Sequence, residues 1–87
     1  MTAERRLATL VYSRPGCHLC DEAWELLERQ APRLGLDLAK HDISGDAELE
    51  RLYGAEIPVV FLDGQKLFKY RVDPRRLEAA CRARRRT

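Results

Sequence analysis

Short apolar runs alternate with longer amphipathic segments along the chain, and this alternation predicts strands and helices in turn. The predicted strands are residues 7–12, 36–43, 59–62 and 66–70. The predicted helices are residues 17–31, residues 46–53 and a last helix that begins at residue 74. The resulting order is strand, helix, strand, helix, strand, strand, helix.

Turn-forming residues divide these segments and set their directions. Pro32 is expected to mark the end of the first helix, and Gly54 the end of the second. The dipeptide Asp63-Gly64 is typical of a tight hairpin, so the last two strands should be antiparallel. Helices between the earlier strands imply parallel crossovers. The pattern predicts an α/β fold (βαβαββα) with a four-stranded mixed sheet and helices on both faces.

The length of 87 residues allows one domain, residues 1–87, with one small core. Hydrophobic residues at 45% and charged residues at 34% are typical of a globular chain rather than a disordered one. No apolar run approaches the roughly 20 residues of a membrane span, and the first residues do not form a signal peptide. We therefore expect a cytoplasmic protein with no membrane contact.

The net charge of +2 averages two unlike regions. Residues 17–56 contain ten acidic and four basic residues, whereas residues 74–87 contain one acid and six arginines. The basic C-terminal tail, at about residues 82–87, has a charge suited to nucleic acid, a membrane or an acidic partner. No aromatic residue interleaves with these arginines to stack on bases, which argues against nucleic acid. We predict a solvated helix end, where cations are favoured by the helix dipole.

The sequence Cys17-His18-Leu19-Cys20 lies where the first strand gives way to the first helix. A thiol is a poor nucleophile until it ionises, and the start of a helix stabilises the thiolate. Cys17 occupies that position. Cys20, three residues later, returns to the same helical face within reach of a disulfide. One reactive and one resolving thiol are sufficient for dithiol–disulfide exchange.

Metal binding is the competing interpretation of the cysteines. A structural zinc site needs four ligands, commonly two such pairs, and no second pair is present. The spare candidates His18, His41 and Cys81 are scattered along the chain, so we predict no resident metal. A metal or cluster carried through Cys17, shared between two chains, stays as an alternative. Cys81 lies on the apolar side of the last helix with Leu77 and is predicted to be a buried, inert thiol.

Two further segments complete a family resemblance. Residues 13–20 (SRPGCHLC), Tyr53-Gly54 and residues 57–64 (IPVVFLDG) together resemble a glutaredoxin-like protein of the thioredoxin-fold superfamily. The resemblance runs from Leu7 to about Arg82. It implies a thioredoxin-like fold, with Cys17 as nucleophile and Cys20 as resolving thiol. It also implies that Pro58 is the family's cis-proline and faces the cysteine pair.

The chain departs from glutaredoxins where they bind glutathione. His18-Leu19 replaces the common Pro-Tyr, Glu56-Ile57-Pro58 replaces Thr-Val-Pro, and residues 70–73 (YRVD) replace Gly-Gly-x-Asp. Asp73 can accept a hydrogen bond from a glutathione ammonium group or cap the last helix, and capping is the simpler role. A protein disulfide, glutathione or another small thiol is therefore open as the partner.

The candidate substrate-binding residues are Arg14, His18, Ile57, Pro58 and Asp73. Arg14 and a charged His18 would favour the thiolate, while Asp21 and Glu22 would disfavour it. If the Ile57–Pro58 bond is cis, the backbone of Ile57 stays free to pair with an extended substrate. We expect a thiol–disulfide oxidoreductase without a bound cofactor, dependent on a separate reductase. A non-catalytic binding module with the same fold is the main alternative.

Overall fold

A computed structural model describes residues 5–86 of the chain. The strands are β1 (Leu7–Ser13), β2 (Leu36–Asp42), β3 (Val59–Leu62) and β4 (Gln65–Lys69). The helices are α1 (His18–Leu34), α2 (Ala47–Tyr53) and α3 (Pro74–Arg86). This is the element order predicted from the hydrophobic pattern. Within residues 5–86, no helix combines the length and apolar character needed to cross a membrane.

The four strands form one mixed sheet in the order β2-β1-β3-β4. β1 pairs with β2 in parallel, from Leu7 opposite Leu36 onward, and with β3 antiparallel. β3 and β4 are antiparallel and are joined by Asp63 and Gly64, whose φ angles of 54° and 87° suit a tight hairpin turn. The α/β architecture with a mixed sheet is therefore confirmed.

Alternate residues of the strands point to opposite faces of the sheet and build two apolar clusters. The larger cluster lies under α1 and α3, and it consists of Leu7, Val11, Leu27, Leu34, Leu36, Val60, Leu62, Phe68, Leu77 and Cys81. The smaller cluster contains Cys20, Ile43, Ile57 and Val59, with Leu49 and Tyr53 of α2 packed against it. Helices thus lie on both faces, and the two cysteines of the CxxC sequence belong to the smaller cluster.

The first helix continues beyond the predicted stop at Pro32. Pro32 lies inside α1, which ends at Leu34 with Gly35 in the left-handed conformation. The extra residues place Leu34 in the core, where it is 6% exposed. Burial of a leucine side chain is worth about 2 kcal/mol and offsets much of the cost of a proline in the last turn.

The arginine-rich C-terminal segment is the end of α3 rather than a separate tail, and part of it is structural. The half-buried Arg85 side chain donates hydrogen bonds to the carbonyl oxygens of Arg5, Leu34 and Gly35. Two of these acceptors belong to the end of α1, where backbone carbonyls lack helical partners. The prediction of a solvated helix end is therefore wrong for Arg85, because long-range carbonyl acceptors hold its guanidinium.

Candidate active site

The active-site candidate begins where β1 ends and α1 starts. Gly16 takes a φ of 77°, which turns the chain sharply after Pro15. Cys17 then caps α1 in an extended conformation, and its Sγ accepts a hydrogen bond from the Cys20 amide at 3.1 Å. A sulfur atom in the capping position receives an N–H that the helix leaves unpaired. The same donor stabilises negative charge on that sulfur more than it stabilises a neutral thiol.

Cys17 and Cys20 are joined in a disulfide, with their Cα atoms 5.2 Å apart. The two residues differ in accessibility: Cys17 is partly exposed, whereas Cys20 is 3% exposed and packed in the smaller cluster. An incoming sulfur can therefore reach Cys17 but not Cys20. This asymmetry matches a nucleophile paired with a resolving thiol.

Ile57 and Pro58 lie beside the cysteine pair at the start of β3. Both residues are buried, and the peptide bond between them is cis. Ile57 belongs to the cluster that contains Cys20 and against which Cys17 packs. The Pro58 carbonyl accepts a hydrogen bond from the Tyr70 amide at 2.9 Å, so the end of β4 is held against this segment.

Arg14 is directed towards α2 rather than left free beside the sulfur atoms. Its Nη2 lies 2.5 Å from Glu50 Oε1 and 3.4 Å from the Gly54 carbonyl oxygen. These contacts tie the loop that carries Cys17 to the end of α2. Sequence reasoning proposed Arg14 for its charge near the thiol and did not foresee this bracing role, because its partners lie 36 and 40 residues away.

Glycine at position 54 allows the contact between Arg14 and Glu50. The sequence around Gly54 does not show why a glycine is needed there. Its φ of −55° is ordinary for any residue, so no left-handed conformation requires glycine. A Cβ atom here would lie 2.5 Å from the Glu50 carbonyl oxygen and 3.2 Å from Arg14 Nη2. The close approach of these groups, rather than helix termination, accounts for glycine at this position.

His18 and Asp73 have different surroundings. His18 is the first residue of α1 and is exposed next to Cys17. The Asp73 carboxylate accepts the Arg75 amide at 3.0 Å, which is the capping role expected for the residue before α3. The structure thus places His18 at the mouth of the site and engages the Asp73 side chain in the backbone of α3.

A shallow cavity of about 200 Å³ opens between α1 and residues 70–72, part of the segment that departs from the glutathione site. Its lining includes Leu19, from between the two cysteines, and the consecutive residues Tyr70, Arg71 and Val72. Tyr70 is 43% exposed and has a φ of 71°, a rare conformation for a bulky residue. The position of Tyr70 after a strand end carried no sequence signal for this geometry.

A second cavity, of about 260 Å³, lies on the Cys20 side. Cys20 lines it together with Ser13, Arg14, Pro15, Asp21, Lys40 and Asp42. Hydrogen bonds from the Ser44 hydroxyl and amide hold the pKa of Asp42 below its ordinary value, so this carboxylate is charged at neutral pH. Charged side chains therefore line the same cavity as the buried cysteine.

The remaining metal-ligand candidates do not form a cluster in the part of the chain that the structure describes. No group of three or more His, Cys, Asp or Glu side chains in residues 5–86 is arranged to hold a metal ion. His41 instead packs its ring against Tyr12, with centroids 5.8 Å apart. Cys81 is 1% exposed, and burial raises the pKa of its thiol, as expected for an inert cysteine.

Solved structures with the same architecture define the class of protein. A mutant thioredoxin from Halobacterium salinarum covers 91% of this chain and 74% of its own, with a TM-score of 0.63 and 20% identity, a likeness that shows the fold. The protein Ne2328 from Nitrosomonas europaea is more similar, with a TM-score of 0.81 and 29% identity over 92% of this chain and 96% of its own. The chain therefore has a thioredoxin fold.

The sequence comparison names the family. The Glutaredoxin-like domain (DUF836) matches residues 9–81, so this chain belongs to that family. An uncharacterized protein from Mycobacterium tuberculosis is 33% identical over 72 residues, which cover 77% of this chain and 74% of the relative. The protein XcR50 from X. campestris is 37% identical, covers 86% of this chain and 96% of its own, and has a TM-score of 0.71.

Proposed function

We propose that this protein is a thiol–disulfide oxidoreductase in which Cys17 is the nucleophile and Cys20 the resolving thiol. The observation that carries the proposal is the hydrogen bond from the Cys20 amide to Cys17 Sγ at the start of α1. The partial exposure of Cys17 and the burial of Cys20 support the division of roles. Membership of the glutaredoxin-like family and the thioredoxin fold support disulfides or thiols as substrates in general.

The reaction transfers two electrons from the protein dithiol to a substrate disulfide. The Cys17 thiolate attacks one substrate sulfur, and the other leaves as a thiolate that takes a proton from water. Cys20, as a thiolate, then attacks Cys17 Sγ and breaks the mixed disulfide, which releases the second substrate thiol. The product state is the Cys17–Cys20 disulfide that the structure contains. A separate reductase or thiol pool, as in the cytoplasm, must supply the electrons for the next cycle.

The residues around the pair take three roles in this proposal. His18 and the Ile57–Pro58 segment contact the substrate beside Cys17, because His18 is exposed there and Ile57 packs in the same cluster. Arg14 positions the Cys17 loop through Glu50. Asp73 shapes the wall of the site by capping α3, since its carboxylate already accepts the Arg75 amide.

The test uses variants in a Cys81→Ser background, which leaves only the two active cysteines. Cys20→Ser should alkylate at Cys17 about tenfold faster at pH 7 than a free cysteine, which is only a few per cent ionised there. The same variant should accumulate a mixed disulfide with insulin or with glutathione disulfide, identified by mass spectrometry. Cys17→Ser is the matched control and should form no adduct, because Cys20 is buried.

Two results would decide against an enzyme. Cys17 with the alkylation rate of a free cysteine, together with no mixed disulfide, would favour a non-catalytic binding module with the same fold. Metal or a cluster bound to freshly purified protein would instead favour the carrier alternative. Comparison of insulin with glutathione disulfide also shows whether the altered 70–73 segment still accepts glutathione.

A further inference from the structure

A strip of five exposed cations runs from the edge strand of the sheet to the start of α3. The strip consists of Lys66, Lys69, Arg71, Arg75 and Arg76, and residues 66–76 contain a single acid, Asp73. We call these five side chains the basic strip. It begins on β4, continues through the loop after this strand, and ends in the first turn of α3.

Two of these arginines occupy positions that helix electrostatics disfavours. Arg75 and Arg76 follow Pro74 in the first turn of α3, a turn that contains no acidic residue. The start of a helix carries partial positive charge, so cations there reduce stability rather than add to it. Residues that oppose a local rule of stability are candidates for function.

Contacts within the described chain neutralise the basic strip only in part. Lys66 and Lys69 share one carboxylate, that of Glu56, at 2.6 and 4.0 Å. Arg71 lies 3.9 Å from Glu22, and both side chains are more than half exposed, so this pair is weak. Arg76 lies over the Phe68 ring at 5.1 Å, which orients the guanidinium without cancelling its charge. Even with Asp73 included, five cations face three carboxylates.

One end of the basic strip lies next to the start of α1, the helix that carries the cysteine pair. Arg71 lines the cavity that contains Leu19, from between the two cysteines. It also lines a second surface cavity, of about 390 Å³, together with Lys66, Lys69 and Arg76. A substrate segment that places a disulfide at Cys17 therefore extends towards these cations.

The strand beneath the basic strip has an unpaired edge. β4 is the last strand of the sheet and pairs only with β3 among the described elements. An extended peptide can pair with such an edge through its backbone. Lysines on an edge strand also discourage pairing with other chains of like charge, whereas an acidic segment would be attracted.

We propose that the basic strip selects disulfides in acidic protein segments, which lie along β4 while their sulfur atoms meet Cys17. This inference rests on the proposed function and names its substrate class. The charge excess favours an acidic polypeptide, and the position of Arg71 beside the helix that carries the cysteine pair favours one that carries a disulfide. Attraction between the strip and the substrate raises the rate of productive encounter, and this effect weakens with salt.

The test measures single-turnover reduction of three synthetic peptides by the prereduced protein. The peptides share one cysteine in a 2-pyridyl mixed disulfide and differ only in flanking Glu, Gln or Lys residues. Cys17 attacks the peptide sulfur and releases pyridine-2-thione, and Cys20 then displaces the peptide thiol. The released thione gives the rate. At low salt the Glu peptide should react about tenfold faster than the Gln peptide, and the Lys peptide more slowly than both.

Two triple variants show whether the basic strip causes this preference. Arg71→Gln with Arg75→Gln and Arg76→Gln should bring the Glu-to-Gln rate ratio close to one. The control, Arg29→Gln with Arg51→Gln and Arg86→Gln, removes the same charge from other exposed positions and should keep the ratio. Use of a ratio cancels any change in Cys17 reactivity common to all peptides.

The outcomes separate this proposal from the one on which it rests. Equal rates for the Glu and Gln peptides would overturn the proposal that the strip selects substrates, and so would a preference that survives the strip variant. Neither result would affect the proposed redox function. Equal loss of the preference in both triple variants would mean that net charge causes the preference. That result would also overturn selection by the strip. No reaction with any peptide would overturn the proposed redox function and this inference with it.

Discussion

At the scale of single residues, the site depends on a few atoms whose neighbours are distant in sequence. The cysteine pair was predictable because the two residues are three apart and follow a strand. The orientation of Arg14 was not predictable, because its partners Glu50 and the Gly54 carbonyl follow it by 36 and 40 residues in the sequence. Arg14 lines a cavity with Cys20, as its charge suggested, but its side chain also holds the loop through Glu50.

Substitution of Gly54 should disturb that brace. In Gly54→Ala the added Cβ would meet the Glu50 carbonyl oxygen at 2.5 Å, so backbone must move. We expect a loss of about 1–3 kcal/mol in the free energy of unfolding, measured by urea denaturation. Gly45→Ala is the control, because nothing lies within 4 Å of a Cβ there. Equal stability of the two variants would show that the close approach at Gly54 is unimportant.

The third cysteine should be unreactive in the folded protein. Burial raises the pKa of Cys81, so at pH 8 less of it is thiolate than in a free thiol, and the residue is only 1% exposed. Timed alkylation of the reduced protein, read by mass spectrometry, should modify Cys17 first and Cys81 only after denaturant is added. Modification of Cys81 at its denatured rate in native buffer would contradict its place in the core.

Among the helices and strands, the hydrophobic pattern predicts the bounds of an element best where turn residues flank an apolar run. β3 was predicted to the residue, because Pro58 precedes it and Asp63-Gly64 follows it. The end of α1 was predicted too early, because proline was judged by its local effect. The burial of Leu34 in the core stabilises the last turn of α1. This burial depends on residues distant in sequence, so no local pattern predicts it.

The end of α1 also depends on α3 through Arg85. Arg85→Ala removes donors from the Leu34, Gly35 and Arg5 carbonyl oxygens. We expect a loss of roughly 1.5 kcal/mol in the free energy of unfolding, since charged hydrogen bonds contribute about that much. Arg86→Ala, one position later and exposed, should change stability by only a few tenths of a kcal/mol. Equal effects would mean that Arg85 acts by charge rather than by these bonds.

In the folded protein, the candidate site lies where three chain segments converge on one end of the sheet. The β1–α1 junction supplies the cysteines, the start of β3 supplies Ile57 and Pro58, and residues 70–72 supply the outer wall. The net charge of +2 reveals none of this arrangement. Folding brings Glu22 of the acidic region within 3.9 Å of Arg71 in the basic strip, so opposite charges meet beside the first helix.

The two long helices on one face of the sheet are linked by a carboxylate whose contribution should depend on pH. Glu78 of α3 lies 3.1 Å from both Arg33 of α1 and Arg82 of α3. The hydrogen bond from Arg33, followed by its charge and by Arg82, holds the pKa of Glu78 below its ordinary value of 4.5. A carboxyl group with a lowered folded-state pKa stabilises the fold above its unfolded pKa. That contribution is lost as the pH falls through the lower folded-state value.

Glu78→Gln should therefore lower the urea midpoint at neutral pH, and the difference from the unsubstituted protein should shrink as the pH falls below about 4.5. Because the pair is exposed, added salt should also reduce the difference. Glu28→Gln, at an exposed position of α1, is the control for loss of one negative charge. A difference that stays constant from neutral to acidic pH would mean that Glu78 joins the helices by packing rather than through its charge.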